Sequence, residues 1–178
     1  VQSGSTRVLE RMQRLYDREK YLECIGWMKK ARRPISISTD IIVGFPGETE
    51  QDFEQTLSLM REVQYDQVFS FMYSPRPNTP AVAYEDQIPE QEKSRRLMHL
   101  QEMQRDIQLK LNSAWVGTTE EVLVEGYNRK TEQWIGRTSS NKTVNFAHPC
   151  NDKDSLVGDY LPVRVVRAGP NSLVGAAV

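Results

Sequence analysis

The sequence predicts an α/β layer followed by a small all-β barrel of the OB type, on three observations. Ile41-Ile42-Val43 ends abruptly at Gly44-Phe45-Pro46-Gly47 and runs straight into a helix signal. Strand-like and helix-like stretches alternate up to about Asn112. From Val116 the pattern changes to short strands between glycine, asparagine and proline turns. A strand, a tight turn and a helix make one step of a parallel α/β fold, and ligands sit at the C-terminal ends of such strands.

The 178 residues allow one or two domains and a sizeable core. The net charge of −1 gives no overall field that would announce nucleic acid. Val1 to Pro34 carries nine Lys/Arg against four Asp/Glu, a bias that reads first as a solvated helix face. Cys24 and Cys150 are far apart and lack a CxxC-like neighbour, so neither a disulfide nor secretion is expected. Cys24 reads as a small buried apolar residue of a helix. No apolar run approaches the ~20 residues of a membrane span, so no membrane partner is expected. The first residue is valine and the pattern opens in mid-element, which suggests part of a longer protein.

Taken in order, Val1-Gln2-Ser3-Gly4-Ser5 reads as the end of a strand entering a polar turn, and Val8-Leu9-Met12-Leu15-Tyr16 has helical spacing. Asp17 opens a second helix with Tyr21, Leu22, Ile25 and Met28 on one face; Lys29, Lys30, Arg32 and Arg33 crowd its end and Pro34 stops it. Ile35–Val43 reads as a strand buried on both faces. Thr49 and Asp52 are spaced as a capping box for a helix whose apolar face is Phe53, Leu57, Met60 and Val63. Gln67–Tyr73 is the next strand. Ser74-Pro75-Arg76-Pro77-Asn78-Thr79-Pro80 then makes a stiff, Arg-bearing loop, either a rigid connector or a substrate contact. Pro89 suits the first turn of a long helix reaching about Asn112, with a stripe of Leu97, Leu100, Met103 or Gln104, Ile107 and Leu111. The glycine turn after Val43 invites comparison with a phosphate cradle, but no Lys-Ser/Thr follows it.

Short strands are expected at Glu121–Glu125, Trp134–Thr138, Thr143–Phe146, Tyr160–Arg167 and Ser172–Val178, as in a small oligonucleotide-binding barrel. This segment is neutral, with seven Lys/Arg and seven Asp/Glu, so any binding rests on local clusters. The best cluster runs from Gly136 to Phe146. Arg137 and Lys142 offer cations for phosphate, Asn141 and Asn145 amides for base edges, and Phe146 either an aromatic for stacking or a core residue.

VQSGSTRVLERM, TDIIVGFPGET, YSPRPNTPA and GRTSSNKTVNF occur in that order, and each resembles a segment of the radical S-adenosylmethionine tRNA methylthiotransferases. The resemblance covers nearly the whole chain. It implies the C-terminal part of a partial TIM-like (radical SAM) barrel over residues 1–113 and a TRAM domain, a small RNA-binding barrel, over 114–178. It implies S-adenosylmethionine and two 4Fe-4S clusters as cofactors, one of them held by a CxxxCxxC motif. Neither set of cluster cysteines stands in this sequence, so catalytic and metal residues are expected elsewhere and the chain alone is expected to be inactive. By resemblance Gln2, Ser3 and Ser5 lie beside the ribose and methionyl groups of the cofactor. Asp40, Ile42, Gly44 and Phe45 belong to the strand against its adenine, with Gly44 admitting close approach of the ligand. Glu48 holds the loop through backbone amides, and Tyr73 and Ser74 face cofactor or RNA. Arg76, with Arg137, Asn141, Lys142, Asn145 and Phe146, is assigned to RNA. Asn78 stands where the family pattern more often has glycine.

The resemblance implies methylthiolation at position 2 of an N6-isopentenylated adenosine beside the anticodon. A relative acting on threonylcarbamoyladenosine or on a ribosomal protein is the alternative within the same chemistry, and a non-catalytic RNA-binding module is the alternative outside it. The implied partners are a tRNA anticodon stem-loop, a sulfur donor and an electron donor. A cytoplasmic monomer is expected.

Overall fold

The computed structural model describes residues 1–150, 152 and 155–178. The chain divides into two compact units, Val1–Ile107 and Gln108–Val178.

In the first unit Ser5 caps helix α1 (Thr6–Arg11), its hydroxyl accepting from the Val8 N–H. The helix ends early. Gln13 takes a left-handed φ of 58°, its N–H bonds the Glu10 carbonyl, and the Arg14 N–H bonds the Leu9 carbonyl. This pair of bonds is the Schellman closure usually made with glycine. It leaves Leu15 and Tyr16 outside the helix that their spacing predicts, and Leu15 fully exposed. Val1–Ser5 forms no strand either. The Ile42 N–H bonds the Gln2 carbonyl (3.0 Å) and the Thr39 hydroxyl the Val1 carbonyl (3.1 Å), before Ser5 is taken up as a cap.

Asp17 caps α2 (Arg18–Lys29) by accepting from the Lys20 N–H at 2.7 Å. Strand β1 (Ser38–Val43) starts later than the apolar pattern from Ile35 predicts, and Pro34, Ile35 and Ser36 are exposed. The strand is buried on one face rather than two: Thr39, Ile41 and Val43 point into the core. The sequence looks apolar throughout because Ile42, on the other face, borders a cleft instead of a second packed layer. Helix α3 (Glu50–Val63) opens with the complete Thr49–Asp52 capping box and buries Phe53, Leu57, Met60 and Val63 as predicted. Strand β2 (Gln67–Met72) pairs parallel to β1, with Ile42 opposite Phe71. After β2, Arg76-Pro77-Asn78-Thr79 closes a turn: the Thr79 N–H and hydroxyl both bond the Arg76 carbonyl, and Asn78 has φ 65°. Asparagine tolerates the left-handed position that glycine would fill here. A short 3-10 turn (Pro80–Ala83) precedes α4 (Glu90–Ser113), a helix of 24 residues.

The second unit is a closed five-stranded barrel. Its strands are β3 (Thr119–Asn128), β4 (Gln133–Thr138), β5 (Thr143–Ala147), β6 (Tyr160–Ala168) and β7 (Leu173–Ala177). Around the barrel the order is β3-β4-β5-β7-β6, all neighbours antiparallel except β5 with β7. Side chains alternate in and out with period two, so Val122, Val124, Trp134, Val144, Phe146, Val163, Val165 and Leu173 fill the interior. Gly136 sits where a Cβ would lie 2.4 Å from the Leu123 carbonyl oxygen, so glycine permits the close crossing of β3 and β4. Register shifts after Val124 and Val165 add the bends that closure requires. Among the described residues no helix is long and apolar enough to cross a membrane.

Candidate functional site

The C-terminal ends of β1 and β2 open onto a cleft of about 550 Å³. Its apolar wall is built from Ile42, Phe45, Phe71, Met72, Tyr73 and Ala81, closed by Met12 and Tyr84. Phe45 meets Tyr73 edge to face with ring centroids 5.1 Å apart, and Tyr84 packs on Phe45 from another side at 6.3 Å. The rim is polar: Gln2, Arg11, Gln13, Arg14, Ser74, Arg76 and Thr79. The Tyr73 hydroxyl is buried in a wall formed with Val8, Phe45 and Ala81 and has no hydrogen-bond partner among the described residues. A buried polar group left unpaired is costly, which marks this wall as one that a polar ligand atom would complete.

Gln2, Ile42, Phe45, Tyr73, Ser74 and Arg76, all singled out from the sequence, meet at this cleft. Ser3, Ser5, Asp40, Gly44 and Glu48 do not line it. Ser3 and Ser5 are buried and bonded inward, Ser3 to Thr56 and Ser5 to Asp52 at 2.6 Å. Asp40 lies exposed on β1. Gly44 has φ 70°, and the space a Cβ would take is filled by the Lys93 side chain, 2.4 Å from its Cγ. The glycine therefore admits a lysine stem rather than a ligand.

Glu48 is 3% exposed. It accepts the Gly44 N–H at 3.2 Å on both oxygens and an Arg96 N–H at 2.7 Å, and Arg96 also donates to the Glu48 carbonyl at 2.9 Å. Burial pushes the Glu48 carboxyl above its usual range, against the pull of Arg96 and the Gly44 N–H. The geometry is that of a brace holding the Gly44–Thr49 loop. Lys93, also 3% exposed, donates to the Tyr73 carbonyl at 3.2 Å and lies 5.4 Å from the Tyr73 ring centre. One face of α4 thus sends two buried cations to the two strand ends that wall the cleft.

Sequence reasoning missed Lys93 and Arg96, although each lies four residues before a member of the Leu97–Leu100 stripe; their charge hid the pattern. It also missed Met12, Gln13 and Arg14, which reach the cleft only because α1 stops at Arg11.

On the barrel, Phe146 is 0% exposed and stands opposite Trp134 inside the core, so its ring offers no face to a base. Arg137 is ion-paired with Glu125 at 3.0 Å and also donates to the Asn141 side-chain oxygen at 3.1 Å. Lys142 lies 6.0 Å from the ring centre of Trp115, and Asn145 is half-buried on β5. Asn141 takes φ 59° in the turn joining β4 to β5, where its N–H bonds the Thr138 carbonyl.

Residues 1–60 match the family model of the Radical SAM superfamily, and residues 114–178 match that of the TRAM domain. The chain thus carries, in order, a segment similar to the Radical SAM superfamily and one similar to the TRAM domain. It is similar to curated proteins named tRNA-2-methylthio-N(6)-dimethylallyladenosine synthase. The one from Solibacter usitatus is 62% identical over 98% of this chain and 39% of its own length. Those from Koribacter versatilis and Clostridium botulinum are 58% and 49% identical over the whole of this chain. The chain spans about two fifths of the length of the relatives it matches.

Proposed function

We propose that the chain is the C-terminal part of an enzyme that methylthiolates position 2 of an N6-isopentenylated adenosine beside the tRNA anticodon. The similarity to the dimethylallyladenosine synthases across both units carries this reading. In it, the first unit belongs to a partial TIM-like barrel over residues 1–113, and residues 114–178 form an OB-like barrel for RNA. The cytoplasm is the compartment this substrate implies.

S-adenosylmethionine fits the cleft. Its adenine would lie on Ile42 and Phe45, its polar groups would face Gln2 and Ser74, and the unpaired Tyr73 hydroxyl would gain a partner. Bound with an iron–sulfur cluster, that molecule supplies a radical for hydrogen abstraction. The residues of this chain position and shield the ligand: α4 fixes both walls through Lys93 and Arg96, and the apolar lining excludes water. A 4Fe-4S cluster does not fit the residues here. Cys24 and Cys150 are the chain's two cysteines, and among the described residues no three metal-ligating side chains come together. No step is therefore assigned to a cluster within this chain.

Nucleoside mass spectrometry of tRNA tests the reading. Disruption of the gene should abolish the 2-methylthio derivative, leave the isopentenylated adenosine in its place, and be reversed by complementation. Unchanged tRNA would refute it, and loss of a threonylcarbamoyladenosine derivative instead would move the assignment to the alternative substrate.

A further inference from the structure

Three arginines hold the loop after β1 through three successive carbonyls. Arg11 donates to that of Pro46 at 3.1 Å, Arg7 to that of Gly47 at 2.6 Å and Arg96 to that of Glu48 at 2.9 Å. Of the three, Arg11 alone lines the cleft. Its guanidinium also bonds both carboxylate oxygens of Asp86, at 2.8 and 2.9 Å, and lies 4.7 Å from the centre of the Tyr84 ring. The Asp86 carbonyl in turn accepts the Gly47 N–H at 2.8 Å. Residues 80–87, which supply Pro80, Ala81 and Tyr84 to the cleft, are thus tied to the loop that supplies Phe45. The Gln87 amide keeps that segment in shape by donating to the Ala81 and Tyr84 carbonyls at 3.0 and 2.8 Å. The second glycine of the turn serves the same contact. At Gly47, with φ 76°, a Cβ would collide with the Asp86 carboxylate and lie 3.0 Å from the Arg11 guanidinium carbon, pushing the two side chains apart.

We infer that Arg11 and Asp86 form a clasp that positions the aromatic wall of the cleft, fixing Tyr84 against Phe45 so that the slot for the adenine is set before the ligand arrives. Folding does not call for this pair. Its side chains are 31% and 51% exposed, and an ion pair so exposed adds little to stability. What it fixes faces the ligand: the Phe45 and Tyr84 rings meet edge to face at 6.3 Å, and a wall ordered in advance need not be ordered by binding. Asp86 does not line the cleft, so it is a positioning residue that acts through Arg11 and Tyr84. This inference rests on the S-adenosylmethionine reading above.

The test is calorimetric titration of the whole chain with S-adenosylmethionine and with methylthioadenosine, its neutral adenosyl thioether, on which a charge freed at Arg11 does not act. If the aligned wall is populated about a tenth of the time without the clasp, apparent affinity falls about tenfold. Asp86→Ala should therefore weaken methylthioadenosine binding about tenfold, and Asp86→Asn, which keeps one acceptor oxygen, by less. Glu54→Ala removes a comparably exposed pair with Arg61 on α3; it should shift the thermal melting midpoint as much as Asp86→Ala does and leave binding unchanged. The nuclear Overhauser effect between the Phe45 and Tyr84 rings reads the wall directly in the free chain, and should be present in wild type and lost in Asp86→Ala. Should Asp86→Ala fail to fold, Asp86→Asn decides by the same two readings. Wild-type chain that takes up neither ligand would overturn the cofactor reading and this inference with it. Wild type that binds while Asp86→Ala binds equally tightly would overturn the clasp alone, as would weaker binding with the ring contact intact.

Discussion

Glu48 and Arg96 show how a single buried pair sets the site. Burial raises the carboxyl, and Arg96 with the Gly44 N–H keeps a charged form tolerable. Arg96→Met should therefore cost about 3–5 kcal/mol, because it strands a buried carboxyl. Adding Glu48→Gln should recover part of that loss, which urea denaturation of the single and double variants will measure. Asp52 works in the opposite direction. Burial pushes its carboxyl up, but bonds from Arg7, Ser5 and Thr49 outweigh that and hold it well below the usual carboxylate range. A depressed folded pKa gives stability that is complete above the unfolded value near ~4 and lost as pH falls through the folded value. Asp52→Asn should accordingly lower stability at neutral pH and flatten its decline below about pH 4, read from thermal melts across pH. The sequence announced Asp52 only as half of a capping box; its bonds to Ser5 and Arg7 join residues 45 to 47 positions apart, which no local pattern records.

At the scale of elements, what was legible was what local chemistry decides. The α3 capping box, the Asp17 cap, the parallel strands and the five barrel strands all carry short-range signals. Three elements were misjudged for a common reason: a neighbour decided their extent. Helix α1 stops because Gln13 adopts a conformation its side chain does not advertise, the Val1–Ser5 segment is taken up as a cap, and β1 carries Ile42 on the face that borders the cleft. The cap of α3 is a direct test of the local part. Thr49 accepts from the Asp52 N–H, and its own N–H and hydroxyl bond the Asp52 carboxylate. Thr49→Ala removes two of these three bonds and should cost about 1–2 kcal/mol in chemical denaturation. Thr49→Ser, which keeps all three, should cost much less.

Over the whole molecule the two units differ in how completely each closes its own core. The barrel pairs every strand on both sides and buries Trp134, Phe146 and five valines. The first unit has only two paired strands, and β2 leaves Phe69 and Phe71 about half exposed, at 49% and 53%. A two-stranded sheet depends on what packs against it, and apolar side chains left in water contribute little to holding it. Native-state hydrogen exchange should therefore separate the units. Amides of Val144 and Val163, inside the barrel ladder, should exchange only in its global unfolding, whereas those of β2 should exchange through cheaper opening of the β1–β2 pair. Phe69→Lys should leave barrel protection unchanged. A segment or ligand that covers the exposed face of β1 and β2 should slow β2 exchange selectively. Equal protection in both units would mean that they unfold as one, and the half-exposed sheet would then not be the weak point of the chain.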